Sequence, residues 1–356
     1  MNSENYLEID GSLGEGGGAI LRLSAAYSVL FKKPITIKNI RTNRPNPGLR
    51  LQHLLGLKLL SDLSNSNLSA CKIGTQELSL IPNIKNEVKG KTSININTAA
   101  SIGLLLQPIQ IACLGFKKTD KIEIKISGGG TFGKWAPSLN YLKAVNYKIF
   151  EVSGLKIKID ILKHGFYPKG GAQVNCHIYL PPKTLNPINL TELGKIDIIH
   201  GDIVITNQLR RNRDNIGTRI RKTIQQRLKK DLNLETDIKF TWVDSISPGV
   251  GVSLWAQSDT GSIISSGTIL GDKKTSSEKL GNIAAQKIIS YIQNKIPVDN
   301  YLSDQLIPLM GFIEEKSCIK VSEITNHTKT NLELTKRFVK KDYKIEKFSN
   351  YYKIHF

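Results

Sequence analysis

The apolar positions alternate between stretches of period two and stretches of period near 3.6, and this alternation recurs along the chain. In "YLEID", Leu7 and Ile9 share one face of a short strand. After a glycine turn, Ile20, Leu23, Tyr27 and Leu30 share one face of a helix. A second strand, "ITIKNI", leads through the loop "RTNRPNPG" to a leucine-rich helix near "LRLQHLLGLKLLSDL". The same order then returns. Strand "SININ", a turn of small residues "TAAS" and helix "IGLLLQPIQIACL" are followed by strand "KIEIKIS", loop "GGGTFGKWAPS" and helix "LNYLKAV". From Lys274 a third unit enters differently: helices "TSSEKLGNIAAQKIISYI" and "NYLSDQLIPLMGF", then strand-like "CIKVSEI" and "YKIEKF".

Between the second and third units lies a block, Lys183 to Asp272, with its own strands, "KIDIIHGDIVI", "DIKFTWVD" and "VSLWAQSD". It also holds one basic helix. There Ile216, Ile220, Ile224 and Leu228 recur every four residues and leave Arg219, Lys222, Gln226 and Lys229 outward, either for RNA phosphates or simply for water. The pattern predicts an α/β (α+β) protein of three repeated βαβα-type units. Residues 1–182 and 273–356 would form the main domain, in repeats of about 1–85, 86–182 and 273–356, with 183–272 inserted as a small α/β domain.

Composition changes this picture in one respect. Across 356 residues, 50 Lys and Arg against 30 Asp and Glu leave a formal charge of +20. That excess favours polyanions such as nucleic acid, or reflects a lysine-rich solvated surface; charge alone leaves both readings open. The longest apolar run, Ile102 to Phe116, is interrupted by Gln107, Pro108 and Gln110 and is too short to span a bilayer, so no membrane segment is expected. The N-terminus has neither a cationic start nor an apolar core, and Cys71, Cys113, Cys176 and Cys318 form no CxxC pair. A reducing, cytoplasmic setting is expected.

The sharpest local feature is "GEGGGAILR", Gly14 to Arg22, between a strand and a helix. It is not a phosphate-binding GxxxxGK[ST] loop, because Ala19 and Ile20 stand where Lys and Ser/Thr are needed. Gly14, Gly16 and Ala19 fit a loose GxGxx[G/A] dinucleotide pattern, yet the acidic residue expected some 20 positions later is replaced by the basic "KNIRTNR". A tight turn needing glycine conformations explains the loop equally well.

Taken together, "GSLGEGGGAILR", "NIRTNRPNPGLRLQHLLGLKLL", "LLLQP", "GGGTFGKWAP", "HGFYPKGGA" and "NYLSDQLIPL" resemble, in order and spacing, the RNA 3'-terminal phosphate cyclase family. The resemblance covers nearly the whole chain. It implies three repeated units akin to those of enolpyruvyl transferases, with a small domain inserted after the second. It also implies that ATP and Mg²⁺ or Mn²⁺ are used to convert RNA 3'-phosphate ends into 2',3'-cyclic phosphates. In that chemistry an adenylate is carried on a histidine, passed to the RNA 3'-phosphate, and displaced as AMP by the neighbouring 2'-OH.

Among His53, His164, His177, His200, His327 and His355, the resemblance points to His327 of "NHTKTNLELTKRF" as the nucleophile. The choice suits the chemistry, because a neutral imidazole attacks phosphorus without a separate base. By resemblance, ATP meets Gln107, Arg22 and the run Tyr301, Leu302, Ser303, Asp304 and Gln305, with adenine between Tyr301 and Pro137. Arg41, Arg44 and Gln52 would line the same cleft and hold phosphates, Lys169 would guide the RNA, and Glu15 would supply a hard oxygen ligand to the metal. Two positions depart from the family pattern: Ala19 replaces a common Gln, and Ala172 replaces a third glycine. The rival classes are a non-catalytic cyclase-like ribosome-assembly factor, disfavoured by His327, and an enolpyruvyl transferase, which shares the architecture but is longer.

Overall fold

The computed structural model describes residues 6–356 except Glu15, Asn86, Lys118, Trp135, Pro182, Lys183 and 211–214. Among the described residues the strands form four four-stranded sheets. The first holds β1 (Leu7–Asp10), β2 (Ile35–Lys38), β3 (Asn67–Leu68) and β4 (Leu78–Ile81), in the order β1-β2-β4-β3. β1 and β2 run parallel, joined by α1 (Gly18–Phe31), and the other pairings are antiparallel, with α2 (Leu51–Ser64) entering before β3.

The second sheet repeats this plan. β5 (Lys91–Ser101) lies parallel to β6 (Lys121–Gly130) across α3 (Ile102–Ala112), followed by α4 (Leu139–Tyr141), a π-helical turn Leu142–Asn146 and α5 (Tyr147–Ser153). β7 (Lys156–Lys163) and β8 (Gln173–Tyr179) complete the order β5-β6-β8-β7. The small residues "TAAS" prolong β5 rather than turning; a register shift between Ile96 and Ser101 takes up the irregularity.

The third sheet starts at β9 (Asn189–Leu190), and the chain then leaves it. β10 (Ile198–Thr206), α6 (Ile216–Leu232), β11 (Glu235–Val243), β12 (Val250–Gln257) and β13 (Ile263–Leu270) build a separate sheet of order β11-β10-β12-β13. After α7 (Ser277–Gln293) the chain returns through α8 (Asn300–Phe312) to β14 (Cys318–Val321), α9 (Asn326–Phe338), β15 (Lys344–Lys347) and β16 (Tyr352–His355). β9 and β14 are parallel and the order is β9-β14-β16-β15, so three sheets share one topology and the fourth differs.

Two large cores match this division. One joins the three repeated units. The other holds Ile203, Ile220, Ile224, Leu254 and also Leu280, Ala284 and Ile288 of α7. The sequence reading gave α7 to the third unit and Asn189–Leu190 to the insertion. In the structure α7 packs on the inserted sheet, and β9 pairs with β14. The insertion therefore interrupts the third unit between its first strand and α8. An amphipathic pattern marks which side of α7 is buried but not against which sheet, and a two-residue strand has no readable period.

Candidate active site

α1, α3 and α8 occupy equivalent places, each leading from the first to the second parallel strand of its unit. Their side chains meet in a line. Arg22 Nε of α1 donates to Gln107 Oε1 of α3 at 2.8 Å, and Gln107 Nε2 donates to Gln305 Oε1 of α8 at 3.2 Å. The bonded pairs, 85 and 198 positions apart in the sequence, thus form one polar chain across the repeats.

Arg22 is 8% exposed. Burial, and next the nearby Arg41, depress its guanidinium to about 10, still a cation at neutral pH. His53, at the start of α2, accepts from the backbone N of Arg50 through Nδ1 at 3.2 Å. Burial first, then Arg22, Arg41 and Arg50, lower the His53 imidazole to about 3, so it stands neutral in a cationic pocket. A Cβ at Gly18 would lie 2.2 Å from His53 Nε2 and 2.8 Å from an Arg22 terminal nitrogen, so the first residue of α1 has to be glycine for this cluster to close. Arg44 reaches the same loop, 3.3 Å from where a Cβ on Gly17 would stand. The Arg41 Nε is buried without a hydrogen-bond partner among the described residues. Among the described residues neither Arg22 nor Arg41 forms a salt bridge, which leaves concentrated positive charge beside the N-terminus of α1, an arrangement suited to phosphate.

His327 is the second residue of α9 and is exposed. Its helix is capped by Thr325, whose hydroxyl accepts from the Thr328 backbone N at 2.9 Å. Asp304 of α8 fixes this turn from below, accepting from the hydroxyls of Thr328 at 2.7 Å and Thr325 at 3.2 Å, while its carbonyl accepts from Asn331 Nδ2 at 3.0 Å. From the other side Gly14, at φ 59°, abuts Thr330; a Cβ there would come 2.1 Å from its Oγ1. The glycine loop and the histidine helix are thereby neighbours. Glu15, proposed from the sequence as a metal ligand, lies outside the described residues.

Tyr301, 43% exposed, lays its ring on Gly267 of β13, where a Cβ would stand 2.5 Å from Cε2, and its hydroxyl accepts from Lys287 Nζ at 2.7 Å. Ser138, next to Pro137, bonds Thr268, next to Gly267, at 2.6 Å. Pro137 and Tyr301 are thus both anchored to one short stretch of β13. Beneath them Asp299, 0% exposed, caps α8: Oδ1 accepts from the backbone N of Tyr301 and of Leu302, each at 3.0 Å, and from Tyr141 Oη at 2.9 Å. Its Oδ2 accepts from Ser265 N at 3.1 Å. Burial raises the Asp299 carboxyl to about 6 against the pull of these donors.

The sequence-selected residues therefore divide. Arg22, Gln107 and Gln305 are brought together, and His327, Asp304 and the glycine loop adjoin one another. Leu302 and Ser303 are both fully buried, Leu302 in the main core and Ser303 bonded to the Asn300 carbonyl. Gln52 is half-buried beside His53, and Lys169 is exposed on a hairpin whose backbone N donates to Ser247 Oγ at 3.1 Å. The sequence reading names His53 only among the six histidines and singles out neither Asp299 nor Lys287. The "HLLGLKLL" and "VDNYL" contexts hold the first two, but burial, the signal that singles them out, is not written in spacing.

No helix among the described residues is long and apolar enough to cross a membrane. A family model described as RNA 3'-terminal phosphate cyclase matches residues 13–345. Proteins named RNA 3'-terminal phosphate cyclase are similar along their length. That of Methanococcoides burtonii is 37% identical over 351 residues, 98% of this chain and 99% of the relative. That of Thermococcus gammatolerans is 36% identical over 341 residues, covering 96% and 94%, and that of Pyrococcus abyssi 37% over 340 residues, covering 96% and 95%. Coverage this complete, on a fold whose three like units meet through one buried polar line, means that the chain belongs to the RNA 3'-terminal phosphate cyclase family.

Proposed function

We propose that this protein converts RNA 3'-terminal phosphates to 2',3'-cyclic phosphates at the expense of ATP, with His327 as the adenylate carrier. The observation that carries the reading is the Arg22–Gln107–Gln305 line near the N-terminus of α1, a buried cation without a carboxylate partner among the described residues, beside the glycine loop on which the α9 helix rests. A polyphosphate supplies the missing negative charge.

In this reading a ring nitrogen of His327 attacks the α-phosphorus of ATP, a P–N bond forms and pyrophosphate leaves. An oxygen of the RNA 3'-phosphate then attacks the same phosphorus, the P–N bond breaks and the imidazole is restored. Finally the ribose 2'-OH attacks the 3'-phosphorus, loses its proton and expels AMP. Arg22, Arg41 and Arg44 neutralise phosphate charge, Gln107 and Gln305 orient donors, Asp304 positions the His327 turn, and adenine stacks on Tyr301 beside Pro137. Lys169 and Gln52 border the RNA path.

ATP fits these residues: the Arg41 Nε, buried without a hydrogen-bond partner among the described residues, can donate to a phosphate oxygen. Mg²⁺ or Mn²⁺ would screen the triphosphate, with Glu15 the carboxylate nearest in sequence. No group of three or more His, Cys, Asp or Glu gathers among the described residues. The test is to incubate the protein with ATP, Mg²⁺ and an oligoribonucleotide ending in 3'-phosphate. The product should resist phosphatase and regain sensitivity after mild acid opens the ring. An end that stays phosphatase-sensitive contradicts the proposal.

A further inference from the structure

The inserted sheet turns one face to its own helices, with Ile199, Ile203, Leu254 and Ala256 in the second core. Its other face turns to the second unit. There His200 of β10 and Trp255 of β12 are cross-strand partners and stack, ring centroids 6.0 Å apart at 21°. They line a cavity of about 500 Å³ whose opposite wall is the helical stretch 139–148 of the second unit. That wall contributes Lys143 and Lys148, both exposed, and Asn140, whose Nδ2 donates to Asp202 at 3.4 Å and whose Oδ1 is buried with no partner among the described residues. The cavity is separate from the cleft of Arg22 and His327, yet Ile263 in its lining stands four residues from Gly267, under Tyr301. That is about 13 Å along β13.

A stacked aromatic pair, an unpartnered amide oxygen and two cations at the rim make a set suited to a nucleobase bearing phosphate, and clefts between domains are where such ligands bind. We propose that this cavity receives a nucleotide of the RNA strand upstream of its 3'-terminal phosphate. The base lies against the His200–Trp255 stack, an exocyclic amine donates to Asn140 Oδ1, and the flanking phosphates meet Lys143 and Lys148. The inserted domain then reads the body of the RNA while the repeated units perform the chemistry, an inference that rests on RNA being the substrate.

The test compares a dinucleotide and a dodecamer, both ending in 3'-phosphate, as ligands of wild type, Trp255→Ala and the double variant Lys143→Glu/Lys148→Glu. Binding is followed by fluorescence anisotropy. Self-labelling from ATP without RNA is measured alongside. Each variant should bind the dodecamer about tenfold more weakly, leave dinucleotide binding unchanged and self-label at the wild-type ATP concentration dependence. Unchanged dodecamer binding in the lysine variant, whose altered side chains are exposed and whose folding is not at stake, overturns the inference even if Trp255→Ala fails to fold. A shift confined to the ATP dependence also overturns it and assigns the cavity to free nucleotide. If the wild type binds neither RNA, the proposed function falls as well.

Discussion

At the scale of single residues the cleft is defined by groups held in uncommon states. His53 is neutral because it is buried among Arg22, Arg41 and Arg50, with its imidazole lowered to about 3 from an ordinary value near 6.5. Between those values the unfolded chain binds a proton that the folded chain refuses, so this group makes stability fall as pH drops from about 6.5 toward 3, by about 1.4 kcal/mol per pH unit. His53→Gln, which cannot protonate and keeps an oxygen for the Arg50 amide, should flatten that slope by one proton. Urea unfolding at several pH values between 7 and 4 measures it, and an unaltered slope would place the proton uptake elsewhere. Gly14 has the opposite character, a residue needed for what it lacks. With φ 59° and Thr330 Oγ1 2.1 Å from the missing Cβ, Gly14→Ala should cost about 1–2 kcal/mol and slow self-adenylation by displacing α9. Adding Thr330→Ala should recover part of the rate and leave the backbone strain. No recovery in the double variant would show that the collision is not the cause.

At the scale of elements, caps and tethers place the reactive groups. Asp304 holds the first turn of α9 through Thr325 and Thr328. Asp304→Ala should lower the adenylation rate about tenfold, or ~1.4 kcal/mol in the barrier, with the ATP concentration dependence little changed, and Asp304→Asn, which retains an acceptor, should recover much of it. A loss of ATP affinity instead would make Asp304 a nucleotide ligand. Asp299 ties Tyr141 of the second unit, Ser265 of the inserted sheet and the start of α8. Asp299→Ala removes the cap and leaves those donors unsatisfied, so thermal or chemical unfolding should show roughly 2–4 kcal/mol of lost stability. This scale also marks the limit of what the sequence discloses. The strands and helices of the first two units were legible because Leu7/Ile9 and Ile20/Leu23/Tyr27 follow clean periods. The Arg22–Gln107–Gln305 line was legible only as three motif residues. That α7 belongs to the inserted sheet, that β9 opens the third unit, and that Leu302 and Ser303 face inward depend on tertiary partners no local pattern names.

At the scale of the whole molecule, three units of one topology converge so that equivalent helices contribute an arginine and two glutamines to one line, and the third unit adds the histidine helix beside the first unit's glycine loop. The formal charge of +20 gives the molecule as a whole a field favouring polyanions. Oligoribonucleotide affinity should therefore fall with salt, with a log–log slope more negative than about −2, equivalent to about three neutralised phosphates of a single strand. A flat dependence would reduce the lysines to surface solvation. The central claim is that His327 carries the nucleotide. The most direct measurement is incubation of the protein with α-labelled ATP and Mg²⁺ in the absence of RNA, beside His327→Ala. The account predicts an acid-labile, base-stable label on the wild type and none on the variant. Equal label on the two proteins, or none on a wild type that binds ATP, would contradict it.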